Sequence, residues 1–171
     1  MHINLNEKGI AADELLNQMD DLAANDADWR KGRTFSLVFY PGKEVAELSK
    51  KAYTRFFMEN GLSPASFRSL SRMEAEVVSM TASLLNAPES AVGNMTSGGT
   101  ESILCATRAA VKYAENRIPA GRKGNIVVPE TAHPAFNKAA DYFGLELRIV
   151  KCKGEALVPD VNDLSAAMDD A

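Results

Sequence analysis

A glycine pair inside Thr96-Ser97-Gly98-Gly99-Thr100-Glu101-Ser102 opens a helical pattern. Residues of these types at a helix start suit an anion. Two glycines admit close approach to the backbone, the first-turn N–H groups lack intrahelical partners, and the helix dipole favours negative charge. The hydroxyls of Ser97 and Thr100 add donors, so a phosphate is the natural guest. No lysine follows the glycines and the spacing is not G-x-G-x-x-G, so neither the ATPase phosphate loop nor the dinucleotide fingerprint is present. The same residues also make a plain turn capped by serine and threonine. On spacing alone both readings stand.

His133 is the second chemical group. It lies in Glu130-Thr131-Ala132-His133-Pro134, directly after the β-branched run Asn125–Pro129. That run reads as a strand, which puts His133 at a strand's carboxyl end, where open α/β sheets place their ligands. An imidazole there can stack on a flat heteroaromatic ring; a helix-capping or loop histidine is the competing reading. In a parallel sheet the glycine turn shares that edge. His2, at the terminus, carries no argument. Lys138, one helical turn past His133, reads as a solvated helix lysine, with a phosphate contact as the alternative. Cys105 and Cys152 have no neighbour in sequence that would lower a thiol pKa and read as buried structural thiols. Glu74, Glu76 and Glu101 have helix-cap or surface explanations. No paired acid–base set and no metal-ligand spacing is seen.

The elements that position these residues follow from periodicity. Residues 11–24 form a short acidic amphipathic helix carrying Leu15, Met19 and Leu22. A basic loop, Trp29 to Thr34, leads to the apolar run Phe35–Tyr40, closed by Pro41-Gly42. Residues 43–59 form a helix with Val45, Leu48, Ala52 and Phe56 on one face, stopped at Asn60-Gly61. Ser71-Arg72-Met73-Glu74 has the capping-box pattern and is expected to open the helix that carries Val77, Met80, Thr81 and Leu84. After the glycine turn a helix runs to about Arg117, with Ile103, Thr107, Ala110 and Ala114 on one side. Strand Asn125–Pro129, helix 134–143 stopped by Gly144, and strand Leu145–Cys152 follow, with Leu145, Leu147 and Ile149 sharing a face. Asp160 caps a last helix that reaches the terminus. This order implies a parallel sheet with crossover helices, hence an α/β fold.

Composition narrows the function classes. The 171 residues are 46% hydrophobic and 25% charged, with a net charge of -4, as in soluble globular proteins. Arg30, Lys31 and Arg33, like Lys50, Lys51 and Arg55, are interleaved with acidic residues and read as solvated faces. No aromatics alternate with them, so no nucleic-acid partner is expected. No apolar run approaches the roughly 18 residues of a membrane span, and Met1–Asn6 shows no secretory pattern. Two cysteines outside any C-x-x-C pair fit reduced thiols and a cytoplasmic location. Length suggests one domain, and no sharp boundary is visible. The first ninety residues, 1–90, read as a helical segment, and 91–171 as the start of an α/β domain. The chain stops at Asp169-Asp170-Ala171 inside a helical pattern after two strands, so a truncated sheet is expected.

Three long stretches resemble the sphingosine-1-phosphate lyase family. Phe67 to Val78, FRSLSRMEAEVV, resembles its FPSLRKMEAEVV. Met95 to Leu104, MTSGGTESIL, resembles its cofactor-phosphate turn. Thr131 to Gly144, TAHPAFNKAADYFG, resembles its SAHAAFNKAASYFG. Gly32 to Tyr40 resembles more loosely its GKVSGAVY. The likeness runs from about residue 29 to 152 in order and spacing. It implies the type I, aspartate-aminotransferase-like fold of pyridoxal 5′-phosphate enzymes, related to the group II amino-acid decarboxylases, with an incomplete large domain after N-terminal helices. It also implies that Gly99 and Thr100, with Ser97 or Gly98, cradle the cofactor phosphate and that His133 stacks on its ring. Tyr40 and Asn60 match positions near the substrate entrance, where a homodimer shares its active sites, so these two can serve the partner's site.

The implied reaction is retro-aldol cleavage of a phosphorylated long-chain amino alcohol to a fatty aldehyde and phosphoethanolamine. Departures from the family occur at Ser63, where it has histidine, at Arg68, where it has proline, and at Pro41, where histidine is common. They leave a related amino-acid decarboxylase as an alternative. No lysine here matches the family's Schiff-base lysine motif. An N-terminal portion of the enzyme, inactive alone, is therefore expected, and a non-catalytic phosphate-binding or dimer-forming module is the further alternative.

Overall fold

The structure, a computed structural model, describes residues 8–35, 37–115, 117–118 and 121–169. Met1–Asn6, His2 and the residue Ser36 of the apolar run lie outside the described residues. The chain forms two compact units, Met1–Ser63 and Pro64–Ala171, so the helix after Pro64 groups with the α/β part.

The first unit holds α1 (Ala12–Ala23), a single 3-10 turn at Trp29–Lys31 and α2 (Lys43–Arg55). Helix α2 ends four residues before the expected 59. The Phe56 N–H bonds the Tyr53 carbonyl and the Glu59 N–H bonds the Phe56 carbonyl. These i→i+3 bonds tighten the chain out of the α-helix, a common way to satisfy terminal carbonyls.

The second unit opens with α3 (Arg68–Leu84). It starts three residues before the expected capping box, so Ser71 and Glu74 are inside the helix. The box does not form, and Glu74 instead accepts a hydrogen bond from the Met95 N–H at 3.0 Å. A tertiary partner 21 residues away has replaced the local one. Next come α4 (Gly99–Ala114), β1 (Asn125–Pro129), α5 (Ala135–Tyr142) and β2 (Glu146–Val150). β1 and β2 are parallel, pairing Asn125 with Glu146 through Pro129 with Val150, as the crossover order requires.

The expected strand Leu145–Cys152 breaks at Lys151. Cys152–Lys153, β3, leaves the parallel pair and forms an antiparallel hairpin with β4, Val158–Pro159. Leu157 and Gly154 take positive φ in its turn, and no alternating pattern announces two-residue strands. Helix α6 (Val161–Ala167) follows, capped as expected by Asp160, whose carboxylate accepts from the Asn162 N–H at 2.8 Å. The helix stops short of the terminus.

Small residues build the core. Among the described residues the buried apolar side chains are Val128, Val150, Ala135, Ala139 and Ala140, joined by Thr107. Three alanines at i, i+4 and i+5 give α5 a flat buried face, and the helix packs on α4 and, less extensively, on β1 and β2. The buried Thr107 hydroxyl donates to the Ile103 carbonyl at 2.8 Å, which satisfies it inside α4. The expected Leu145, Leu147, Ile149 face is only partly covered: Ile149 is 52% exposed, while its neighbour Val150 is 6% exposed. Arg148, on the same alternate face as Val150, donates to the Ala167 carbonyl of α6 at 2.9 Å.

The stop after α5 is a Schellman motif. The Leu145 N–H bonds the Ala140 carbonyl at 2.8 Å and the Gly144 N–H bonds the Asp141 carbonyl at 3.3 Å, with Gly144 at φ 66. A side chain there meets left-handed strain. Gly144→Ala is expected to lower the stability of this unit by about 1 kcal/mol in urea titration. An unchanged midpoint would mean that the motif relaxes freely.

Candidate functional site: the glycine turn and the carboxyl edge of the sheet

The path to the glycine turn is fixed at successive residues. Glu74 of α3 holds the Met95 N–H. The Thr96 hydroxyl lies 2.7 Å from the Ser102 hydroxyl and donates to the Gly98 carbonyl at 3.1 Å. Ser97 donates both its N–H, at 2.6 Å, and its hydroxyl, at 2.7 Å, to Glu101 Oε2. These two bonds hold the Glu101 carboxyl below the usual glutamate range, the hydroxyl contributing most. Helix α4 then begins, with the Ser102 N–H bonded to the Gly98 carbonyl. The N–H groups of Gly99, Thr100 and Glu101 precede that first bond and have no helical carbonyl to pair with. A side-chain carbon built on Gly98 or Gly99 would find no heavy atom within 4 Å. The turn is thus open and donor-rich, and Thr100 stands exposed on it.

The orientation of α4 brings this turn to the sheet's carboxyl edge. Ala114 and Ile118, at and just past the far end of α4, line one apolar hollow of about 360 Å³ with Gly124 and Asn125, which begin β1. The C-terminal end of α4 therefore lies over the amino end of β1, and its N-terminal end points to the carboxyl end. His133 follows β1 by that edge, exposed, with Nδ1 accepting the Ala135 N–H at 3.1 Å. Because Nδ1 is an acceptor, the neutral ring carries its proton on Nε2. That bond pins the imidazole to the start of α5, and α5 packs against α4.

Glu130 completes the edge and was not legible as a functional residue. Its carboxylate accepts from Lys151 Nζ at 2.8 Å and from the Cys152 N–H at 2.8 Å, so it ties the end of β1 to the end of β2. Cys152 is half-buried, with its thiol 3.7 Å from the Thr131 hydroxyl, while Cys105 is exposed. The expectation of buried thiols is therefore corrected for Cys105, which stands exposed on α4. Lys138 is exposed on α5. Among the described residues no group of three metal-ligating side chains occurs, and no helix is long and apolar enough to cross a membrane.

Tyr40 and Asn60 belong to the first unit. The Tyr40 ring meets Trp29 edge-on at 5.7 Å. Asn60 Oδ1 accepts the Leu62 N–H at 3.0 Å, closing a local Asx turn. The sequence motif offered Ser97, Gly98, Gly99, Thr100 and His133; the structure adds Glu74, Glu101 and Glu130 around them. The Ser97–Glu101 spacing is close to that of a capping box and could have been noticed, whereas the Glu74–Met95 contact leaves no local signal.

The carboxylates of this edge set its response to acid. Lys151 first, then the Cys152 N–H, lowers the Glu130 pKa; the Asn162 N–H does the same for Asp160. A folded pKa below the unfolded value means that folding favours the ionised form. The stability this contributes is present above the unfolded value, about 4, and disappears as pH falls through the lower folded value. The urea midpoint is expected to drop between about pH 5 and about pH 2, and Glu130→Gln to shallow that drop. A midpoint flat across this range would contradict it.

No family model matches the chain. It is 39% identical over 147 residues, 85% of its own length, to sphingosine-1-phosphate lyase 1 of Mus musculus. The chain is homologous to the sphingosine-1-phosphate lyases. It spans about a quarter of the length of that relative (25%). A probable L-tyrosine/L-aspartate decarboxylase of Methanosarcina acetivorans is 32% identical over 182 residues, covering 96% of this chain and 43% of the relative. A solved sphingosine-1-phosphate lyase of Burkholderia pseudomallei superposes with a TM-score of 0.84 at 28% identity, covering 99% of this chain and 40% of the other. The α/β unit with its preceding helices is thus part of the type I fold of pyridoxal-phosphate enzymes.

Proposed function

We propose that this chain carries the cofactor-phosphate site of a pyridoxal-phosphate-dependent carbon–carbon lyase acting on a phosphorylated long-chain amino alcohol. The observation that carries the reading is the open, donor-rich turn at the start of α4, in a chain homologous to sphingosine-1-phosphate lyases. The donor set fits a phosphate monoester: the amides of Gly99 and Thr100 and the Thr100 hydroxyl converge on one helix end. His133, held through Nδ1, would lie against the ring at the same sheet edge. When bound, the cofactor supplies an electron sink for the breaking carbon–carbon bond. The residues of this chain bind and orient it. The lysine that such chemistry requires matches no lysine here, so activity is assigned to the polypeptide that supplies one. The reading includes a cytoplasmic homodimer, with Tyr40 and Asn60 at the substrate entrance.

The decarboxylase alternative has its own support in the Methanosarcina relative and in Ser63 and Arg68, where the lyase motif differs. One assay separates the two. The complete polypeptide, given cofactor and a sphingoid phosphate, is expected to release phosphoethanolamine and aldehyde in equal amounts. Carbon dioxide from an amino acid, with no phosphoethanolamine, would replace the lyase by the decarboxylase.

A further inference from the structure

The side chains around the glycine turn do more than offer donors. Thr96 and Ser97, consecutive in the loop, are each bonded to the first turn of α4, through Ser102 and Glu101 respectively. An ordinary capping box would return the third helical residue's carboxylate to the N-cap N–H. Here Gly98 is the N-cap and Glu101 the third helical residue, yet the carboxylate takes the N–H and hydroxyl of Ser97, one residue further out. The two bridges therefore enclose Gly98. Glycine has the widest backbone freedom of any residue, and two in succession would leave the anion to order the turn as it binds. Bridged in this way, the turn is ordered before binding, and affinity rises by the ordering cost avoided.

The same geometry decides what Ser97 does. Its hydroxyl and its N–H are both directed at one carboxylate oxygen. A phosphate oxygen taking either donor would have to displace a carboxylate held by two short, charge-assisted bonds. We propose that Glu101 is a positioning residue that presets the anion turn, and that Ser97 serves Glu101 while the phosphate is held by Gly99 and Thr100. This rests on the phosphate-site reading above and specifies which side chains of that site touch the anion. The lowered pKa of Glu101 agrees with this geometry, because both Ser97 donors favour the ionised carboxylate.

The test is equilibrium dialysis of the complete polypeptide against pyridoxal 5′-phosphate and against pyridoxal, the same ring without the phosphate. Glu101→Ala is expected to weaken pyridoxal 5′-phosphate binding about tenfold, the cost of reordering roughly one residue, and to leave pyridoxal binding unchanged. Glu101→Gln, which keeps an acceptor oxygen for the Ser97 N–H, and Ser97→Ala, which keeps that N–H, are expected to stay within about threefold of the original. Glu101→Ala binding the phosphorylated form as tightly as the original protein overturns the proposal. So does an equal loss of both ligands, which would mean damage to the fold. A loss beyond about tenfold in Ser97→Ala makes Ser97 a phosphate ligand and overturns it as well. An original protein that binds both ligands alike has no phosphate site, and then the reading beneath the proposal falls with it.

Discussion

Ala139→Leu is expected to destabilise the second unit by about 1–3 kcal/mol. Ala139 has no exposed surface, and its neighbours along the helix face, Ala135 and Ala140, are also buried. In the sheet Val128 is buried on one face and Val150 on the other, beside Arg148, and no larger side chain among the described residues is fully enclosed. The helix can sit this close only because its inner face consists of methyl groups. Three additional carbons have no space to enter, so α5 must lift from α4 and the strands it packs on or the leucine must leave its preferred rotamer. Lifting α5 also disturbs the His133–Ala135 hydrogen bond at its start, so the damage spreads from packing to the candidate site. Lys138→Leu adds apolar bulk one residue away, on the exposed side, and is expected to change the urea midpoint by less than about 0.5 kcal/mol. Equal effects of the two substitutions would show that α5 does not pack as a flat face.

That alanine face illustrates how far the sequence can be read. The strand Asn125–Pro129 was legible to the residue because a short β-branched run sits between turn formers, and Gly144 marked the end of the next helix through its left-handed backbone. Parallel pairing followed from the crossover order. The failures have a common cause. A capping box was visible at Ser71–Glu74, but Met95 outcompeted the local partner; nothing near residue 74 encodes an amide 21 positions on. The Cys152–Lys153 hairpin is held by Gly154 and Leu157 in left-handed conformations, not by an alternating pattern. The helical stripes of α1 and α2 were readable as apolar faces, yet Leu15, Met19, Val45 and Leu48 are all exposed. Periodicity tells which face favours burial and carries no information about what meets it. At the site, glycine spacing marked the turn, while the carboxylates that shape it looked like ordinary surface residues.

Gly99→Val is expected to separate binding from folding more sharply than any other change at this turn. A carbon built on Gly99 meets no heavy atom within 4 Å, and the residue is the first of α4. The folded chain therefore accepts valine without a clash. Valine is a better helix residue than glycine and has fewer unfolded conformations to lose, so stability is expected to hold or to rise by a few tenths of a kcal/mol. Binding responds in the opposite sense. Side chains on a helix lean toward its N-terminus, which directs the valine methyls into the space that an anion at the Gly99 and Thr100 amides must occupy. Losing two hydrogen bonds to a charged group, at about 1.5 kcal/mol each, corresponds to roughly a hundredfold weaker pyridoxal 5′-phosphate binding. Binding of pyridoxal, which has no phosphate, is expected to be unchanged. Thermal unfolding and dialysis on one preparation give both quantities. A lower melting temperature would show that the turn is closed by packing, and retained phosphate affinity would show that the anion sits elsewhere. Either result would remove the anion site from the start of α4, because an open turn reserved for a ligand must tolerate a side chain in the fold and refuse it in the complex.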